Sequence, residues 1–127
     1  MLNLETDERT QLTANIMSEL DSWGFTADEL VQLLQLPTGT PKRALRKYRE
    51  NTSFPVVDEL DIRLDHLVGI INALRTSYPH NLNMSSFWMK QSNKRFENKS
   101  PVAYIKLNGL GGLITIRKHL DCSYIAE

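Results

Sequence analysis

The stretch LDIRLDHLVGIINALRTSYP, Leu60 to Pro79, places Leu60, Leu64, Leu67, Ile71, Leu74 and Tyr78 at steps of four, three, four, three and four residues. That spacing predicts one helix of about 20 residues whose apolar stripe, widened by Val68 and Ile70, needs a partner surface along its whole length. Pro79 ends it. The acidic residues Asp58, Glu59, Asp61 and Asp65 read as its solvated face and approach. A chain built around such a helix belongs to the all-α class, and no convincing strand appears elsewhere in the sequence.

Working back toward the N-terminus, residues 51 to 57 form a connector, with Phe54-Pro55 extended because proline disfavours helix in the residue before it. KRALRKYRE predicts a helix over about Pro41 to Glu50, with Pro41 in its first turn. PTGTP, residues 37 to 41, separates it from a helix that begins at Thr26, an N-cap with Glu29 at the capping-box position, and carries Leu30, Leu33 and Leu34. A first helix, about Thr6 to Ser22, shows Leu12, Ile16 and Leu20 on one face. The aromatics of Trp23-Gly24-Phe25 plug the core at its end.

Toward the C-terminus, Ser85 or Ser86 is the expected cap of a short helix holding Phe87, Trp88 and Met89. SNKRFENKS is a turn region, Pro101 opens a helix to about Leu107, and a last helix runs from about Leu110 to Leu120. Gly109-Leu110-Gly111-Gly112 reads as a flexible helix connection; without a Gly-Lys-Ser/Thr ending or a preceding strand it is no phosphate loop. Residues 1–55 and 56–127 are the two predicted regions.

At 127 residues and 14.6 kDa, about two-thirds of the unfolded surface can be buried on folding. With one cysteine, Cys122, no intrachain disulfide can form, which fits a reducing compartment. An acidic start, MLNLETDER, without basic leader or apolar stretch, completes the expectation of a soluble cytoplasmic protein without a membrane span. The net charge of zero conceals segments of −6 (1–40), +4 (41–50), −2 (51–85) and +4 (86–127). A uniformly basic nucleic-acid binder is excluded; a local basic patch is not.

The patch at 41–50 supplies the first candidate site. Two short helices joined by a turn, the second carrying Lys42, Arg43, Arg46, Lys47 and Arg49, match the gross anatomy of a helix-turn-helix DNA reader. Lys42, Arg46 and Arg49 share one helix face and Arg43 and Lys47 an adjacent one. Arg43 and Arg46 are the candidate base readers because the guanidinium fork matches guanine. A monomer of this size discriminates sequence poorly, so a dimer on paired half-sites is expected. The competing reading is a helix with an ordinary solvated basic face.

The second candidate lies in the C-terminal half. The segment from Leu64 to Pro79, then Trp88, Asn93, Phe96, Ser100-Pro101, Gly109 and IRKHLD from Ile116 to Asp121, resembles bacterial antitoxins of the Xre/MbcA/ParS type. It matches their long helix ending in an aromatic-proline pair, their tryptophan followed by Asn-x-x-Phe, their Ser-Pro helix start, their glycine and their terminal Arg-x-x-Leu-Asp pattern. The resemblance implies an N-terminal helix-turn-helix-like bundle packed with a C-terminal helical toxin-binding domain. It implies an antitoxin that binds and neutralises a RES-domain toxin, one that consumes NAD or transfers ADP-ribose. It also implies operator DNA as a second partner, autoregulation, a homodimer, no catalysis and no cofactor of its own.

Under that resemblance Trp88, Asn93, Lys94, Arg95, Phe96, Lys99, Ser100, Pro101, Arg117, Tyr124 and Ile125 are the toxin-binding candidates. Asn93 and Ser100 tie a turn, Phe96 anchors it, and Pro101 preorganises the next helix. Trp88 either packs behind the turn or is partly exposed. Lys94, Arg95, Lys99, Arg117 and Lys118 can steer or bridge to an acidic toxin surface. Tyr124 and Ile125 are anchors because related antitoxins approach the toxin active site from this end. Two departures stand out. Glu97-Asn98 sits where the family often has two glycines, which narrows the backbone choices there. PTGTP makes the N-terminal turn about four residues longer than the compact Xre pattern.

His66, His80, His119 and Cys122 show no clustered ligand spacing, so no metal site is expected. Ser, His and Asp occur without a nucleophile elbow. A stand-alone dimeric helix-turn-helix regulator is the alternative to the antitoxin, and a structural adaptor without either activity is the third reading.

Overall fold

The computed structural model describes residues 6–37 and 39–126. Among them are seven α-helices: α1 (Thr6–Ser22), α2 (Ala27–Leu34), α3 (Lys42–Glu50), α4 (Asp58–Ser77), α5 (Leu82–Lys90), α6 (Pro101–Asn108) and α7 (Leu110–Ala126). One 3₁₀ turn spans Lys94–Phe96. Among the described residues no helix is long and apolar enough to cross a membrane. The all-α expectation holds. The chain divides into two compact units, Met1–Asp65 and His66–Glu127, with the boundary inside α4.

In the first unit α3 packs against α1, and Leu45, 1% exposed, is the residue that α3 buries. α2 starts as its sequence predicts. Thr26 Oγ1 accepts from the Glu29 amide and Glu29 Oε1 accepts from the Thr26 amide, so two otherwise orphaned donors are satisfied. α2 ends in a left-handed Gln35. Ile16, Leu20, Trp23, Phe25, Leu30 and Leu34 are buried, so the paired aromatics plug the end of α1 as anticipated.

The connector 51–57 is held by a side chain far away in sequence. Arg9 on α1 donates from Nε to the Phe54 carbonyl at 3.0 Å and from Nη2 to the Pro55 carbonyl at 2.8 Å. The same Nη2 meets Asp61 Oδ1 at 2.7 Å. Thr13 Oγ1 donates to the Arg9 carbonyl and accepts from the Phe54 amide, and the Phe54 ring packs 5.0 Å from that of Tyr48. This corrects the reading of Asp61 as part of a solvated face: it is 3% exposed and Arg9 5%. The helical period places 61 beside Leu60 and Leu64 at the margin of the apolar stripe, and a buried carboxylate persists there because a cation that is itself hydrogen-bonded to two carbonyls meets it.

In the second unit the predicted stripe of α4 is buried at Leu67, Ile70, Ile71 and Leu74. α5 packs on α6, and α6 on α7. α5 begins at Leu82 with Asn81 as N-cap, before either serine. Ser85 and Met89, one turn apart, are both buried, so burial of that face carries the helix through the serines and overrides their capping preference. Gly109 ends α6 with φ +58°, but Gly111 and Gly112 are helical residues of α7 and no flexible connection. The physical reason is packing: a Cβ on Gly112 would lie 2.8 Å from Ile105 Cα and 2.9 Å from the Tyr104 carbonyl oxygen. The glycine lets α7 seat directly on the α6 backbone.

Candidate functional site

The turn between α5 and α6 is organised around Asn93. Its amide donates to the Lys99 carbonyl at 3.1 Å, and its carbonyl accepts from the Phe96 and Asn98 amides at 3.0 and 3.1 Å. Its side-chain Oδ1 accepts from the Arg95 amide at 3.0 Å. The Lys99 amide then donates to the Phe96 carbonyl. The amides of Asn93, Arg95, Phe96, Asn98 and Lys99 are thus satisfied within seven residues, so the hydrogen bonding that shapes the turn is largely its own. Ser100 Oγ accepts from the Ala103 amide and Pro101 occupies the first helical position, which closes the turn on a capped α6.

Glu97 and Asn98 both have left-handed backbones, φ +59° and +65°. The chain takes the conformation glycine prefers and carries the strain, about 1–2 kcal/mol for a residue such as Glu. The Asn93 carbonyl, which captures the amides on either side of Glu97, is what enforces it.

Phe96, 2% exposed, is the anchor. Its ring lies 5.6 Å from Tyr104, 5.3 Å edge-on from His119 and 6.3 Å edge-on from Trp88. Trp88 is half-buried and lies nearly parallel to the His119 ring, 6.0 Å away. Burial, followed by the nearby Arg95 charge, pushes the His119 pKa below its ordinary value. Both effects favour the neutral imidazole over the charged one among these rings. Lys94 and Arg95 project from the turn as exposed side chains, and Lys99 Nζ reaches Glu97 Oε2 at 3.4 Å.

Arg117 lies on α7. Its Nη1 donates to His66 Nδ1 at 3.3 Å, and its Nε lies 3.8 Å from Asp121 Oδ2. A Cβ on Gly69 would collide with the Arg117 guanidinium, so the glycine makes room for arginine to lie across α4. Gly69 escaped the sequence reading, which weighs His66 only as a metal ligand and takes Gly112 for part of a flexible connection. The signal for the two glycines is their position inside apolar helical periods, where glycine has a packing reason when it occurs. Lys118 is exposed on α7. Tyr124 and Ile125 lie on α7, and their side chains fall outside the described residues.

On α3, Lys42, Arg43, Arg46 and Lys47 are exposed. Arg49 differs. Its Nε and Nη2 grip Asp21 of α1 through both carboxylate oxygens at 2.7 and 2.8 Å, and that hydrogen bonding raises its pKa further. The structure thus separates four outward cations from a fifth that ties α3 to α1. No group of three His, Cys, Asp or Glu side chains able to hold a metal occurs among the described residues. A cleft of about 390 Å³ beside α2 is lined by Asp28, Gln32, Gln35 and Thr40 among others, and Asp28 is its sole ionisable lining residue.

Compared with protein-family models, with curated proteins and with solved structures, the chain gives no match.

Proposed function

We propose that this chain is an antitoxin that binds and neutralises a RES-domain toxin through the turn between α5 and α6, without catalysis of its own. The observation that supports the reading best is the assembly of the resemblance residues. Asn93, Phe96, Ser100 and Pro101 build one closed turn, Trp88 and His119 back it, and Lys94 and Arg95 stand exposed on it. Two non-glycine residues hold left-handed angles where the resembling family often has glycines. A turn already shaped before binding lowers the ordering cost of recognition, and its cations suit an acidic face around a toxin's catalytic mouth.

Co-expression with a RES-domain toxin tests this. A stable copurifying complex and protection of NAD from consumption are expected. Free toxin activity in the presence of excess chain would overturn the reading.

The exposed row Lys42, Arg43, Arg46 and Lys47 on α3 supports autoregulation by a cytoplasmic dimer on operator DNA, and equally the second reading, a stand-alone regulator. Both predict binding to an inverted repeat that weakens steeply with salt. They part at the toxin, which only the antitoxin binds. Unchanged operator affinity after Arg43→Gln and Arg46→Gln would remove both arginines from a reading role.

A further inference from the structure

Asn108-Gly109 is the chain's single Asn-Gly step, and no Asp-Gly step occurs. Glycine has no side chain to shield its amide nitrogen, and its free backbone lets that nitrogen approach the asparagine carboxamide. Asn108 is exposed to water at the last position of α6, and Gly109 alone separates it from α7. Both reacting groups are restrained. Asn108 Nδ2 donates to the Tyr104 carbonyl at 3.0 Å, and the Gly109 amide donates to the Ile105 carbonyl at 2.7 Å. These bonds close the end of a helix, the part of a fold that opens at least cost.

We propose that Asn108 is a self-modifying site: it converts to aspartate and isoaspartate when the last turn of α6 opens, and the isoaspartate form denies α7 its seat on α6. Once that turn opens, the Gly109 nitrogen gives its proton to solvent base and attacks Asn108 Cγ. A C–N bond forms, the bond from Cγ to Nδ2 breaks, and Nδ2 leaves as ammonia with a proton taken back from solvent. Water then opens the cyclic imide. Cleavage at Cγ gives aspartate with the main chain in register, whereas cleavage at the backbone carbonyl gives isoaspartate, whose chain runs through Cβ and Cγ and is one atom longer. Nothing is oxidised or reduced. The junction has no slack for that atom, because a Cβ on Gly112 would already lie 2.8 Å from Ile105 Cα and 2.9 Å from the Tyr104 carbonyl oxygen. That carbonyl is the one that holds Asn108, and the Tyr104 ring lies 5.6 Å from the Phe96 anchor. The chemistry requires neither toxin nor operator, and so stands independently of that function.

Incubation of the full chain in weakly alkaline buffer, native and in urea above its unfolding midpoint, tests it. Digestion in acid, where the reaction stops, and mass spectrometry then follow the amide-to-acid gain at each asparagine. In urea Asn108 should convert faster than every other asparagine, and in the native chain at least about tenfold more slowly than in urea, because reaction proceeds only from opened molecules. Gly109→Ala should slow the urea reaction at least about tenfold, a readout that does not depend on folding. Isoaspartate chains separated from the aged material should refold to a form melting at least about 4 °C below Asn108→Asp, or fail to refold where Asn108→Asp succeeds. Equal native and urea rates, a urea rate at Asn108 no higher than at other asparagines or unchanged by Gly109→Ala, or isoaspartate chains that melt with Asn108→Asp would overturn the proposal.

Discussion

The connector 51–57 and the turn 93–99, which includes the 3₁₀ turn Lys94–Phe96, each span seven residues, yet they are held by opposite means. Arg9 clamps the connector from 45 and 46 residues away, through two carbonyls and a buried carboxylate. The turn is held from within, by an asparagine that donates and accepts across no more than six residues. A clamp that depends on one distant side chain concentrates its stabilisation there, whereas a turn closed mainly through its backbone spreads it. The two should fail differently.

The largest effect should come from Arg9→Met. It keeps a long apolar stem while stranding the Asp61 carboxylate and leaving the Phe54 and Pro55 carbonyls without their donor. Breaking a buried pair from one side costs about 3–5 kcal/mol, measurable as a fall in the urea midpoint. A loss under about 1 kcal/mol would show that water replaces the guanidinium and that the connector is not clamped.

Asn93→Ala should cost less, about 1 kcal/mol, because only the Oδ1 bond to the Arg95 amide is lost while the three backbone bonds of residue 93 survive. Asn93→Asp preserves the acceptor and should recover most of that loss in the same denaturation assay. If alanine here proved as damaging as methionine at position 9, the claim of a self-sufficient turn would be wrong.

Smaller again, and opposite in sign, is Glu97→Gly. Relief of a left-handed glutamate is worth about 1–2 kcal/mol, offset in part by the extra freedom glycine gives the unfolded chain and by loss of the exposed contact to Lys99. A net gain of about 0.5 kcal/mol in thermal or urea stability is expected. Asn98→Gly should change little, since asparagine tolerates this region. A gain in stability accompanied by weaker toxin capture would show that the glutamate is retained for binding.

The same contrast explains what the sequence revealed. Features that depend on neighbours were legible: the Thr26–Glu29 capping box, the Ser100-Pro101 helix start, the Asn93 turn and the apolar period of α4. Features that depend on residues brought together by folding were not. Asp61 looks solvated until Arg9 arrives, Arg49 looks like its basic neighbours until Asp21 claims it, and Gly112 looks like a hinge until α6 lies against it. At the candidate site the anchor and the ties of the turn could be read, but not the left-handed Glu97 and Asn98, whose angles follow from a hydrogen-bond ring that no local preference demands.

His119 supplies the smallest test, and one that separates the units. Burial and the Arg95 charge lower its folded pKa below the unfolded value of about 6.5. Above that value both states are neutral, so stability from this group is fully present. As pH falls through it, the unfolded chain takes up a proton that the folded cluster resists, and stability declines until the folded pKa is passed. The melting temperature of wild type should therefore drop between neutral and mildly acidic pH more than that of His119→Gln, which has no proton to take up. Arg95→Gln should soften the decline by removing the neighbouring charge, whereas Arg9→Met, in the other unit, should leave this pH difference unchanged while lowering stability at every pH. If the His119→Gln curve ran parallel to wild type, the imidazole would not be the group responsible, and the stacking of His119 against Trp88 would be independent of its charge.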